Sequence, residues 1–296
     1  MSTKIALPTR RDEAWKWSDL KAAYGNAPVP ALNQERAAHP VIVQLAAAAD
    51  CLEHVAVASG ESALRIERMQ ASVMEAKAVQ IDLADGANLT RIVIQDGPAV
   101  ALNLARVKLG AGASFRQFVL ALGSKLARIE THVEAEGALA NVELNGVYLC
   151  GPGRHADLTS QVLHNAEGIQ TRQLIKGAVR AGGRGVFQGK LYVARAAQKT
   201  DAQQHHHALL LEEGAEVYAK PELEIYADDV ACAHGNTTGS LDEEALFYLR
   251  SRAIPLLDAR RLLIEAFLLE ALPDGLDEAL TQELQGTITT WLGQST

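Results

Sequence analysis

The stretch Lys220-Pro-Glu-Leu-Glu-Ile-Tyr-Ala-Asp-Asp-Val-Ala-Cys-Ala-His-Gly-Asn-Thr-Thr-Gly-Ser-Leu-Asp-Glu-Glu-Ala-Leu-Phe-Tyr-Leu-Arg-Ser-Arg-Ala-Ile-Pro255 contains the change of texture on which the whole chain turns. Its first part alternates. Leu223, Ile225 and Ala227 fall on one side of an extended backbone and Glu222, Glu224 and Tyr226 on the other, the period of a half-buried strand. Its middle, Cys232-Ala233-His234-Gly235, sets a thiol and an imidazole two positions apart in a Gly/Asn/Thr-rich segment that reads as a loop. In extended backbone, residues i and i+2 point the same way, so both could face one metal or one partner surface. Ser240-Leu-Asp-Glu243 then has the form of a capping box, and the pattern becomes helical.

Working outward, residues from about Ser59 to Asp229 alternate in short strands punctuated by Gly-Ala turns. Val79, Ile81 and Leu83 alternate with Gln80 and Asp82; Ala127, Ile129, Thr131 and Val133 with Arg128, Glu130, His132 and Glu134; Phe187, Gly189, Leu191 and Val193 with Gln188, Lys190 and Tyr192. Turns recur at Asp85-Gly-Ala, Gly110-Ala-Gly-Ala, Glu136-Gly-Ala, Glu167-Gly and Glu213-Gly-Ala. The first four lie at the spacing of stacked repeats, roughly 25 to 30 residues, and the last gap is longer. A phase slip after Leu104, where the pattern moves to Val107 and Leu109, suggests a corner at Ala105-Arg106. Many strands with no helix between them leave a sandwich or a β-helix, and small inward residues suit the narrow core of a solenoid.

Three helical segments are expected after Gly239: Leu241 to Ser251 capped by Ser240, Leu256 to Leu272 entered through Pro255, and a last one with Leu276, Leu280, Leu284, Ile288 and Leu292 on one face. At the other end, Trp15 and Trp17 read as an arm packing onto the main body, Pro28-Val29-Pro30 as a linker and Leu45 to Leu52 as a short Ala-rich helix. The organisation expected is an N-terminal arm over 1–58, a β core over 59–239 and a helical unit over 240–296.

The run from Pro221 through Arg252 resembles the SufB/SufD family, the scaffold proteins of the SUF iron–sulfur cluster assembly system, and is nearest to its SufD branch. Arg11-Asp-Glu-Ala-Trp-Lys-Trp-Ser-Asp-Leu20 is similar to the segment that opens SufD-type proteins, and Gly185 to Ala202 matches a further family segment. The resemblance implies a mainly β fold, a right-handed parallel β-helix with a C-terminal helical subdomain. Such proteins usually carry a larger helical region between the arm and the β core, so this chain looks trimmed there. The resemblance also implies a non-catalytic scaffold subunit that pairs with a SufB-like subunit and a SufC-like ATPase, so that a transient cluster or iron sits at the subunit interface. All nucleotide would be bound by the ATPase.

Composition agrees. The chain has 296 residues, 48% of them hydrophobic but only 5% aromatic, and a formal charge of −8, which argues against nucleic acid or anionic membrane as the main partner. The N-terminus lacks the apolar core of a signal peptide, and apolar runs such as Leu262 to Leu269 are too short to span a bilayer. Three widely separated cysteines suit a reducing, cytoplasmic setting.

His234 is the leading candidate. A lone turn histidine usually bonds backbone, but Cys232 and Asp228-Asp229 stand beside this one. In the family the matching histidine is implicated in building the nascent cluster with a SufB cysteine. Neutral imidazole is a good iron ligand, and pairing it with thiolate leaves positions open for sulfide and more iron. One or two ligands cannot hold a stable cluster alone, as befits a transfer scaffold. Cys232 is open between a second ligand and a small packing residue, while Cys51 and Cys150 read as packing residues. His205-His206-His207 is expected as a solvent-facing or strand-end run in which only His205 and His207 converge, with His207 a minor candidate for auxiliary metal binding. Gly182 to Lys190 lacks a Walker A glycine at Arg184 and the Ser or Thr needed at Leu191, so it reads as a tight turn. By resemblance, Arg260, Leu263, Ala266, Phe267 and Glu270 are the expected ATPase-docking positions. Two competing readings are a carbohydrate-active β-helix enzyme using Asp228-Asp229 or Glu212-Glu213, although adjacent carboxylates diverge on a strand, and a homodimeric scaffold.

Overall fold

A computed structural model of the chain describes residues 7–25, 42, 45, 51–70 and 72–294. The strands β1 (Leu52–Val57), β3 (Glu75–Leu83), β5 (Ala101–Leu109), β7 (Ala127–Ala135), β9 (His155–His164), β11 (Arg184–Val193) and β13 (Glu216–Ile225) form one seven-stranded parallel sheet in that order. The strands β2 (Ser62–Met69), β4 (Asn88–Gln95), β6 (Ser114–Ala121), β8 (Asn141–Cys150), β10 (Gln170–Val179), β12 (Asp201–Leu210) and β14 (Ala231–Gly239) form the other. The chain therefore winds as a β-helix, each coil giving one strand to each sheet. Leu52 lies beside Ala78 at one end and Arg184 beside Glu216 at the other, the spacing on which the turns recur. The β body begins at Leu52, ahead of the expected boundary at 59.

The turns stack as the strands do. The Gly86 N–H donates to Ala111 O (2.8 Å) and the Gly112 N–H to Ala138 O (2.8 Å). Both glycines have φ near +65°, a region L side chains avoid (+68° and +63°). The longer last gap now has a cause. Glu213-Gly214 joins β12 to β13 on the opposite edge, and the turn that continues the first series, between β11 and β12, has no glycine. There Lys199 itself takes the left-handed conformation, φ +62°.

The supposed corner at Ala105-Arg106 lies within one continuous strand, β5, buried on both faces from Ala101 to Ala105. Ala105, Val107 and Leu109 point into the solenoid, whereas Leu102 and Leu104 lie outward in a cluster with Trp15 and Leu20. The phase slip in the sequence marks the place where the N-terminal arm covers the sheet. The arm comprises a 3₁₀ turn (Glu13–Trp15) and α1 (Leu20–Tyr24), capped by the Asp19 carboxylate. Trp15 lies over the Arg128 guanidinium (4.1 Å), Trp17 stacks on Tyr218 (6.0 Å) and Glu13 pairs with Lys220 (2.8 Å), so both tryptophans pack on the body as expected. Arg128, which alternates with Ala127 and Ile129 in the sequence, is sealed beneath the arm. It donates to Asp157 (2.9 Å), Glu130 (2.8 Å) and the Ala14 carbonyl (2.7 Å), and the Ser18 hydroxyl also donates to Asp157. The linker expected at Pro28-Val29-Pro30 lies outside the described residues. Of the expected helix from Leu45 to Leu52, Leu45 is helical and buried, and Leu52 already begins β1.

A second polar network lies inside the coils. Arg91 grips Glu67 with two bonds of 2.8 Å and donates to Gln117 (2.6 Å) and Asn103 (2.7 Å), so every group of the buried pair is partnered. Burial by itself raises the Glu67 carboxyl, but the charge and hydrogen bonds of Arg91 with those of Arg65 and Asn103 outweigh it and hold the group at about 2. Glu130 is held at about 2 in the same way, burial being outweighed by Arg128 and His132.

The C-terminal unit comprises α2 (Glu243–Ser251), α3 (Leu256–Leu269) and α4 (Glu278–Gly293). The cap of α2 is Asp242, whose carboxylate accepts from Glu244 and Ala245 N–H, and not the Ser240 of the capping-box pattern. Leu280, Leu284 and Ile288 of α4 pack with Ile92, Phe118, Leu120 and Leu149 from the outer face of the even-numbered sheet.

Two consequences can be measured. Asp157→Ala leaves the Arg128 charge buried with half its carboxylate partners gone, a change worth about 3–5 kcal/mol. The thermal midpoint should fall by several degrees and the Trp15 fluorescence should shift towards that of solvated indole. The acid side is also fixed in sign. Glu67 and Glu130 have folded pKa values near 2, below their unfolded values, so their contribution is complete above about pH 5 and lost as pH falls towards 2. Denaturant midpoints measured between pH 6 and pH 3 should decline, and Glu67→Gln should flatten the decline.

Candidate functional site

The last coil, β13 and β14, ends both sheets, and among the described residues no strand pairs with its outer edge. The segment expected as a loop around His234 is the strand β14, held in register by β12: Cys232 beside Ala202, His234 beside Gln204 and Asn236 beside His206. A Gly/Asn/Thr-rich sequence is weakly strand-forming by itself, so the neighbouring coil decides its conformation.

Register places Cys232, His234 and Asn236 on the inward-facing columns, roughly 7 Å from one to the next. Because nothing is stacked beyond them, their burial differs sharply from that of the residues beneath. Cys232 is half-buried against Val193, Ala197, Ala227 and Val230, and burial pushes its thiol up. His234 is exposed, with no side-chain hydrogen bond to any described residue. The sequence placed both on one face, and the structure does the same; Cys232 is the packed member of the pair. Cys150 is fully buried, its thiol pushed up by burial to about 12, and Cys51 packs beneath the N-terminal arm.

The histidine run alternates as expected, but it is not all solvent-facing: His206 is buried. His206 points into the solenoid, stacked on Phe187 (4.9 Å). The Asn236 carbonyl oxygen accepts from Nδ1 (2.6 Å), so Nε2 carries the lone pair that accepts from the Tyr148 hydroxyl (2.9 Å). Burial holds this ring neutral, at about 4. His206 is thus a strut from the interior to β14, two residues from His234, and sequence reasoning missed it. Gly177 and Gly185 make space for Tyr148, since a Cβ on either would come within 2.0 and 2.2 Å of its ring. His205 and His207 do converge on the outer face, rings 6.0 Å apart, with His207 Nδ1 2.7 Å from the Thr237 hydroxyl oxygen. Among the described residues no three His, Cys, Asp or Glu side chains converge as a metal site. One member of each acidic pair is engaged: Asp229 pairs with Lys199, and Glu212 accepts from the Ala181 N–H (3.0 Å).

On the helical unit, Arg260 is exposed at the rim of a cavity of about 240 Å³ bordered by Leu210, Leu246, Leu257 and Ile264. Leu263 is half-buried and Ala266 exposed. Phe267 and Glu270 turn towards the β body, where Lys176 lies over the Phe267 ring (4.1 Å) and pairs with Glu270 (2.5 Å). The larger apolar exposure is at Phe247 (75%), Tyr248 (55%) and Leu257 (78%), which helical periodicity alone does not single out. No helix among the described residues is long and apolar enough to cross a membrane.

Residues 39–267 match the family described as SUF system FeS cluster assembly, SufBD core domain. The chain is 40% identical to the iron–sulfur cluster assembly protein SufD of Escherichia coli over 167 residues, 56% of this chain and 40% of that protein. It is 38% identical to the chloroplastic protein ABCI7 of Arabidopsis thaliana over 162 residues, 54% of this chain and 34% of that one. It is 31% identical to an iron–sulfur cluster assembly SufBD family protein of Mycobacterium bovis over 231 residues, 72% of this chain and 58% of that one. The chain thus spans roughly a third to three fifths of the length of these relatives. With a parallel solenoid, a C-terminal helical unit and this match over most of its length, the chain belongs to the SufBD core-domain family of the SUF iron–sulfur cluster assembly system.

Proposed function

We propose that the chain is a non-catalytic scaffold subunit on which an iron–sulfur cluster is assembled as cargo. The observation that carries this reading is His234, an exposed imidazole with no side-chain hydrogen bond to any described residue, on the last coil of the solenoid, whose outer edge no described strand pairs. A neutral imidazole there is free to donate its lone pair to iron, and the remaining ligands come from a second subunit. Cys232 lies on the same face but is partly packed with its thiol protonated, so it joins as a ligand only if the last coil loosens.

The partner on that edge is a SufB-like subunit, added strand to strand. The Ala231 N–H bonds back to Thr200 O (2.9 Å), so by alternation the N–H groups of Cys232, His234, Asn236 and Thr238 face the open edge. The helical unit, with Arg260, Leu263, Ala266 and the exposed Phe247, Tyr248 and Leu257, docks a SufC-like ATPase that supplies all nucleotide chemistry. Phe267 and Glu270 keep the helices attached to β10 through Lys176, coupling movement of that unit to the β body.

His234→Ala, co-expressed with SufB-like and SufC-like partners, should leave the complex assembled and abolish cluster absorbance after reconstitution with iron and sulfide. A normal cluster yield removes His234 from the mechanism. Thr238→Pro deletes an edge-facing N–H while leaving the ladder to β12 intact, so it should weaken capture of the SufB-like subunit by at least tenfold and spare the ATPase. Unchanged capture would falsify the edge-pairing arrangement. Mass measurement on the purified chain then tells whether a second copy occupies the edge when no partner is present.

A further inference from the structure

One column of the even-numbered sheet is polar almost throughout: Arg65, Arg91, Gln117, Leu144, Gln173, Gln204 and His234 occupy matching positions on successive coils. Its C-terminal half is a directed hydrogen-bond chain. Gln173 Nε2 donates to the Ser160 hydroxyl oxygen (2.8 Å), and Gln204 Nε2 donates to Gln173 Oε1 (2.9 Å). Gly189 opposite leaves the space in which Gln204 lies, since a Cβ there would come within 2.2 Å of Gln204 Nε2. The chain stops at Gln204 Oε1, a fully buried oxygen with no hydrogen-bond partner. Buried polar atoms are nearly always partnered, so an orphan of this kind points to a missing donor. Because the amide nitrogen is committed to the coil below, its carbonyl is turned away from Gln173, and the next residue of the column is His234, which has no hydrogen-bond partner among the described residues.

We propose that Gln204 is a positioning residue for His234: its Oε1 accepts one imidazole N–H, fixing the tautomer and leaving the other ring nitrogen as a lone pair directed out of the open end. The proposal rests on the reading of His234 as an iron ligand and adds to it the group that prepares the ring. The adjacent column already holds such an arrangement, with the Asn236 amide oxygen accepting from His206 Nδ1 across one coil step. A histidine fixed by a carbonyl on one nitrogen presents the other as a better-oriented ligand, the usual outer-shell device of metal-binding imidazoles. Since the acceptor belongs to a chain that ends on Ser160 deep in the body, the ring is referenced to the rigid part of the solenoid and not to the exposed edge.

The test uses the full chain with ¹⁵N-labelled histidine, without iron or partners, and reads ring nitrogen shifts at pH 8; His234 is assigned from the signal lost in His234→Ala. In the wild type one fixed tautomer is expected. Gln204→Met keeps the length of the stem but removes the oxygen acceptor, and should convert that signal to the averaged shifts of two exchanging tautomers; Gln204→Leu should do the same. Gln204→Glu retains an acceptor oxygen and should keep the fixed form. The His206 signal is the internal control, because its bonds to Tyr148 and Asn236 should persist in any variant whose coils remain stacked. Averaged tautomers already in the wild type, or a Gln204→Met ring indistinguishable from wild type while His206 is unchanged, overturns the proposal. Failure of His234→Ala to affect cluster formation would instead remove the ligand role while leaving this result standing, so the two are separable.

Discussion

The parallel backbone ladder from coil to coil is the constraint from which the rest of this structure follows. Each strand pairs with the one two places before it and the one two places after it, so register is copied along the axis and residues at matching positions form columns. A column must therefore be compatible with itself. Apolar columns such as Val79, Ala105 and their successors fill the interior, and a polar column is tolerated only where its members bond one another, as Arg91, Gln117, Gln173 and Gln204 do with their neighbours. The ladder also has to end. The terminal coil necessarily presents unpaired backbone and partly uncovered inner columns, which is the physical origin of the candidate site at β14.

The flanks of the solenoid are closed in two chemically different ways. Over the odd-numbered sheet the arm is fastened by a buried charge cluster, Arg128 with Asp157 and Glu130, beneath Trp15. Over the even-numbered sheet the helical unit is fastened mainly by apolar packing, with the Lys176–Glu270 pair at its margin. Buried ion pairs demand fixed geometry, whereas an apolar interface tolerates sliding. The helical unit is consequently the more suitable of the two to transmit movement, and it is also the part that leaves Phe247, Tyr248 and Leu257 in solvent.

At the open end the inward columns are covered to different degrees. Cys232 is half covered, His206 bonds Asn236, and His234 is exposed with no side-chain hydrogen bond to any described residue. Weak, reversible coordination by a single imidazole is what the proposed scaffold role asks of that position.

Much of this was legible in the sequence. The period of two through Val79 to Leu83, the recurrence of Gly turns and the small inward residues specify a stacked β body, because side-chain direction along a strand needs no knowledge of the partner. The same parity put Cys232 and His234 on one face. Tertiary structure decided what parity cannot express: that the Ala231–Gly239 segment is a strand, that Arg128 is buried beneath an arm more than a hundred residues distant, and that His206 is buried against Phe187 and bonded to Tyr148. Each of these depends on residues far along the chain, one coil away for β14, two for the Tyr148–His206 contact and more than a hundred positions for the arm over Arg128, and those partners are supplied only when the ladder closes.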